Sequence, residues 1–139
     1  MVNPVSTSPL LPLQVALYGL LSTELSVPVY DFVPEDAAFP YVVLGECTEM
    51  PDNDHGQYGS EVTYTFHVWT EAEGYASGLE IVDEISRILD HQKQNLSPTG
   101  HLVVSIRRSL TRTMRDPNPR LRHIPVMYRI CTEQIMEGS

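Results

Sequence analysis

No apolar run in this chain is long enough to span a bilayer, because the leucine-rich stretch near the N-terminus is broken by Pro12, Gln14 and Gly19. No basic residue stands ahead of that stretch, so it does not read as a secretory leader, and the expected compartment is the cytosol. Cysteine is scarce: Cys47 and Cys131 both fall in strand-like runs and read as buried structural thiols rather than as a disulfide or redox pair. Missing too are a phosphate-cradling glycine loop, a nucleophile elbow and cysteines paired at zinc spacing. The run DNDHG, from Asp52, has the look of a calcium loop, yet its glycine comes one position early and no glutamate closes it. His67 stands in an alternating strand without a partner motif and reads as a packed or surface histidine. These absences predict a protein that is not an enzyme and that carries neither cofactor nor metal.

What is present fits one globular domain over residues 1–139, with 1–9 loose and 131–139 a polar tail. A chain of 139 residues buries roughly two-thirds of its unfolded surface, enough for a real core. Its charge is uneven. Of 18 acids, all but three lie between Glu24 and Asp90 with a single base, Arg87; every other base lies from Lys93 onward. A solvated acidic face accounts for part of this, but segregation by sequence half asks for a partner surface or for contact between copies.

Periodicity gives an order close to αββαββ. Leu10, Leu13, Leu17, Leu20, Leu21 and Leu25 recur at helical spacing, predicting a helix that ends near Ser26; Ser8 is its candidate cap, and Pro12 moves the expected regular start to itself. VPVYDFVPEDAAFP reads as a short extended piece and a loop, and YVVLGECTEM as a strand. In EVTYTFHVWT, Val62, Tyr64, Phe66 and Val68 share one face, and Thr63, Thr65, His67 and Trp69 the other. Tyr75, Leu79, Val82, Ile85, Ile88 and Leu89 form the stripe of a second helix, with Glu80, Asp83, Glu84 and Arg87 outside. Two more strands follow: one with Leu102, Val104, Ile106 and Leu110 in phase, the other with Ile124, Val126, Tyr128 and Ile130. The predicted fold is α+β, a mainly antiparallel sheet of four or slightly more strands against two helices, with a long basic β-hairpin.

That hairpin carries the candidate site. TRTMRDPNPRLRH, from Thr111 to His123, holds four arginines and a histidine around two prolines. Arg107, Arg108, Arg112, Arg115, Arg120 and Arg122 are the candidate interface residues, since a planar guanidinium suits carboxylates and phosphates alike. Three readings stay open: a solvated hairpin, docking on an acidic protein surface, and nucleic-acid binding. Against the last, no aromatic residue interleaves the arginines between Thr111 and His123.

Four stretches, LQVALYGLLS, VYDFVPEDAAFPYVVLGE, VTYTFHVWTEAEGYASGLEIVDEISRIL and TRTMRDPNPRLRHIPVMYRI, resemble in order the tail-completion (tail-terminator, head-tail joining) proteins of long-tailed bacteriophages and prophages. The Pro-Tyr-Val strand start, the strand ending in His-x-Trp and the small-residue-rich helix start are the most specific of these features. The long acidic connection MPDNDHGQYGSE and the polar residues after Ile130 depart from the pattern. The resemblance implies a virion protein of the head-proximal end of the tail, assembled in the host bacterial cytoplasm. It implies a ring, a homohexamer, that caps the tail tube and joins it to the head-completion or connector protein. Genome DNA would pass through the lumen without specific binding, and no membrane would be involved. The carboxylates expected near such a lumen are Asp52 and Asp54 in the acidic loop and Glu80, Asp83 and Glu84 on the second helix. The alternative function is a nucleic-acid-binding accessory protein acting through residues 107–123.

Overall fold

The computed structural model describes residues 5–53 and 58–136. Helix α1 spans Leu10–Glu24, strand β1 Val29–Tyr30, β2 Tyr41–Pro51 and β3 Gly59–Glu71; helix α2 spans Ala76–Leu89, and β4 His101–Thr111, β5 Met114–Arg115 and β6 Leu121–Gln134 complete the chain. The six strands form one sheet in the order β1-β2-β3-β6-β4, with β5 pairing the start of β6 beyond β4. Only the β1–β2 pair is parallel; every other pairing is antiparallel. The α+β class agrees with the sequence, and the sheet is larger than four strands because β1 and β5 contribute two residues each.

Both helices lie on the face of the sheet that carries Val62, Tyr64, Phe66 and Val68. These four are buried with Leu13, Leu17 and Leu21 of α1, Ile81, Val82, Ile85 and Leu89 of α2, and Ile124, Val126, Tyr128 and Ile130 of β6. Helix α1 starts two residues earlier than expected. The Leu13 amide donates to the Pro9 carbonyl, so Pro12 occupies the first turn, where its missing N–H has no intrahelical partner to lose. The Leu10 amide donates to Ser8 Oγ. On α2 the buried stripe is rotated from the expected one: Gly78 and Ile81 face inward, and Leu79 is 43% exposed. Gly78 permits the close approach, since a Cβ there would lie 2.8 Å from Ile124 Cδ1.

Strand β4 departs most from its predicted phase. Register shifts between Val103 and Ser105 and between Arg108 and Leu110 break the two-residue period. His101, Val103 and Ile106 are buried, whereas Leu102, Val104 and Leu110 face solvent. Strand β6 runs on to Gln134, four residues past the point where a polar tail is expected, and Thr132 within it is buried. The N-terminal segment is held to it: the Thr7 amide donates to Gln134 Oε1, and Gln134 Nε2 donates to the Val5 carbonyl. Cys47 and Cys131 are free thiols and only half-buried, against the expectation of buried thiols; Cys47 packs at the margin of the core, and Cys131 falls out of phase with the buried residues Ile124 to Ile130 of β6.

Candidate interaction surfaces

The basic hairpin is one long ribbon. Strand β4 pairs β6 as far as Thr111 and Val126, the ladder is interrupted at residues 112–113, where the Arg112 amide still donates to the Pro125 carbonyl, and β5 resumes the pairing in the same register through Met114–His123 and Arg115–Arg122. The tip is closed by two side-chain turns, in which Asp116 accepts from the Asn118 amide and Asn118 accepts from the Arg120 amide. Pro117 and Pro119 fit a tip that needs few backbone donors.

The six arginines do not act as one group. Arg107, Arg108, Arg112, Arg115 and Arg120 are exposed, and their guanidinium groups make no hydrogen bond or ion pair among the described residues. Arg122 differs. Its Nη1 donates to the Pro119 carbonyl at 2.7 Å, its Nη2 donates to the Glu73 carbonyl, and its guanidinium carbon sits 5.3 Å from the centre of the Tyr75 ring. Arg122 therefore pins the hairpin tip to the β3–α2 connection, a role that its place in a basic run conceals. The Ala72 amide strengthens the same junction by donating to the Arg120 carbonyl.

The candidate lumen carboxylates are scattered. Asp52 lies just past the end of β2, on the connection to β3, where its amide donates to the Gly59 carbonyl, and Asp54 lies outside the described residues. Glu80 is exposed on α2. Asp83 pairs with Arg87 one turn on. Glu84 is engaged at the end of α1, accepting from the Ser26 amide at 3.0 Å and from Ser26 Oγ at 2.8 Å. Asp52 and the acids of α2 thus belong to separate places.

One cluster escaped the sequence reading. On the face of the sheet away from the helices, His67 Nδ1 lies 2.6 Å from His123 Nε2, and His67 Nε2 lies 3.2 Å from both oxygens of Glu46. Trp69 stacks on His123, centres 4.1 Å apart and planes 5° from parallel. A consistent proton arrangement has His123 Nε2–H donating to His67 Nδ1 and His67 Nε2–H donating to Glu46. Burial, and then His67, lower the His123 pKa from the usual histidine value, while Asp116 and Glu46 oppose this. The Glu46 carboxyl is held below its usual value by its own backbone amide, and further by His67, against burial. Gly45 makes room: a Cβ there would fall 2.5 Å from the His67 ring. Pairing with His123 required the β3–β6 register, which places Trp69 opposite His123 and His67 two residues along, opposite Pro125. Among the described residues no group of three or more histidine, cysteine or carboxylate side chains is arranged to hold a metal ion.

Two edges therefore frame the molecule: β4 with its unpaired arginines on one side, and β1 with α1 above it on the other. The latter is apolar and acidic. Leu11, Val15 and Tyr18 are exposed on α1, Phe32 follows β1 with 87% of its surface exposed, and Asp31, Glu35 and Asp36 surround it in sequence. Gln14 Nε2 donates to Asp31 Oδ2 at 2.8 Å and ties this loop to α1.

Comparison with known proteins gives this architecture a family. No curated protein matches the sequence. The fold is similar to that of a chain in the solved virion of a native gene transfer agent particle, with a TM-score of 0.80 and 24% identity, covering 92% of this chain and 99% of that one. The family model for tail completion protein gp17 matches residues 15–133, a span running from the first turns of α1 almost to the end of β6. On that match over most of its length, the chain belongs to the tail completion protein gp17 family, structural proteins of the phage tail.

Proposed function

We propose that the protein assembles as a ring, a homohexamer, that caps the head-proximal end of the tail tube and joins it to the connector. The observation that carries this reading is the pair of unlike edges. A ring needs heterologous contacts, in which one patch of each subunit meets a different patch of the next, and this chain presents a basic edge and an acidic, apolar one on opposite sides of a single sheet. Membership of the tail completion family supplies the context in which such a ring acts. Arg107, Arg108, Arg112, Arg115 and Arg120 meet carboxylates of a neighbour or of the connector, whereas Arg122 serves its own hairpin. Exposed carboxylates such as Asp52 and Glu80 suit a channel lining that lets DNA slide, because they form no strong phosphate contacts.

Electron microscopy of the purified protein mixed with tail tubes tests this reading. Rings, or caps confined to one end of the tubes, are expected. Tubes left bare, together with retention on DNA that falls steeply with salt, would replace the ring with the nucleic-acid reading.

A further inference from the structure

An open groove of about 470 Å³ runs between α2 and β4. Leu79, Val82 and Asp83 of α2 form one wall, and Arg108, Leu110 and Thr111 of β4 the other. Leu79 and Leu110 are 43% and 51% exposed, so the groove is apolar at its lip and charged at its rim. It lies at the outer edge of the sheet, yet that edge is not open to strand addition at its centre. The His91 amide donates to the Ile106 carbonyl, and the Arg108 amide donates to Asp90 Oδ1, so the outward backbone groups there are already taken. Whatever docks must do so through side chains.

The complementary feature stands on the opposite edge. Phe32, beside β1, is the most exposed large apolar side chain of the described residues, and it projects from a loop carrying Asp31, Glu35 and Asp36. An aromatic ring of this kind, buried at an interface, removes about 150–250 Å² from water and is a typical binding anchor. Arg108 lines the groove and Arg112 follows Thr111 at its end, whereas Arg107 lines a separate depression with His91 and Lys93. Apolar projection meets apolar groove, and acids meet arginines.

Resting on the ring reading, we propose that Phe32 of one copy seats in the α2–β4 groove of the next copy, with Asp31, Glu35 and Asp36 facing its Arg108 and Arg112. The occupant is a second copy of this chain because projection and groove lie on opposite edges of one sheet, where side-by-side copies repeat the same contact until the ring closes. A tube or connector subunit would require only one of the two features. Leu11, Val15 and Tyr18 on α1 extend the apolar side of the contact, since Gln14 holds Asp31 against that helix.

The test measures mass in solution and ring formation on tail tubes for the unmodified protein and for variants confirmed as folded by circular dichroism. Phe32→Ala is expected to weaken association roughly thirtyfold. Phe32→Asp and Leu110→Asp each abolish rings, and because each keeps one working edge, their mixture gives dimers of one copy each and nothing larger. The double variant Phe32→Cys, Leu110→Cys gives a second readout: oxidation links neighbours into a covalent ladder absent from either single variant. Phe32→Asp rings indistinguishable from those of the unmodified protein would overturn this contact and leave the ring standing. Normal rings that no longer bind tubes would also overturn it, placing Phe32 against the tube instead. An unmodified protein that stays monomeric, alone and on tubes, would overturn the ring itself.

Discussion

Arg120 and Arg122 sit two residues apart on the same hairpin, yet only Arg122 donates to carbonyls in its own chain and lies over an aromatic ring. Hydrogen bonds from a charged donor contribute about 1.5–3 kcal/mol each when their acceptors lose them. Arg122→Ala is therefore expected to destabilise the fold by about 1–3 kcal/mol in denaturant melts. Arg120→Ala should stay within about 0.5 kcal/mol of the parent. The histidine pair supports a pH prediction. Because the folded protein lowers the pKa of His123, the unfolded chain takes up that proton first. The stability His123 contributes is present above the usual histidine pKa of about 6.5 and is lost as pH falls through that value and then through the lower folded one. Melts at pH 7.5 and 5.5 should show a drop that His123→Gln flattens; an equal drop in both proteins would place the effect elsewhere.

At the scale of elements, β3 was the most legible strand, because strict alternation from Val62 to Val68 matches a sheet with helices on one face. Phe66 is fully buried beneath those helices and packs edge-on to Tyr128 at 5.9 Å. Phe66→Ala is expected to cost about 3–5 kcal/mol by chemical denaturation; a cost below about 1 kcal/mol would mean that β3 faces the other way. Strand β4 was misread for a reason equally local. The shift between Val103 and Ser105 turns the side chains on its two sides over relative to each other, so Leu102 and Val104 share a two-residue phase with buried Ile106 in the sequence and yet stand in solvent in the fold. The exposure of Leu110, which lines the edge groove, was hidden by the second shift, between Arg108 and Leu110.

Across the whole molecule, exposed arginines gather on β4 and the hairpin tip while Asp31, Glu35 and Asp36 stand at the opposite edge, and the net charge of −9 leaves the unpaired arginines the obvious attractors for a carboxylate-rich surface. Exposed pairs contribute only about 0–1 kcal/mol each, so a single reversal should change little. Reversing Arg112, Arg115 and Arg120 together to glutamate is expected to leave circular dichroism and melting unchanged while abolishing ring formation or tail joining. Raising salt should weaken the same association in the unmodified protein, because exposed charges are screened within about 8–10 Å. A triple variant that still joins tails would return the hairpin tip to solvent.

Local periodicity and turn chemistry sufficed for helices α1 and α2, the principal strands and the basic hairpin, because each is written in residues close together in the chain. The bipolar charge was legible for the same reason. Tertiary structure alone decided what those pieces meet. The β3–β6 register brought His67 to His123 across 56 positions, and the β2 irregularity at Gly45 and Glu46 delivered a carboxylate to the pair. The packing of α2 against β4 carved the groove, and folding the tip back onto Glu73 and Tyr75 removed Arg122 from the interface set. Those contacts depend on relative placement of distant segments, fixed by burial of a shared core, and no window of sequence shorter than the fold contains them.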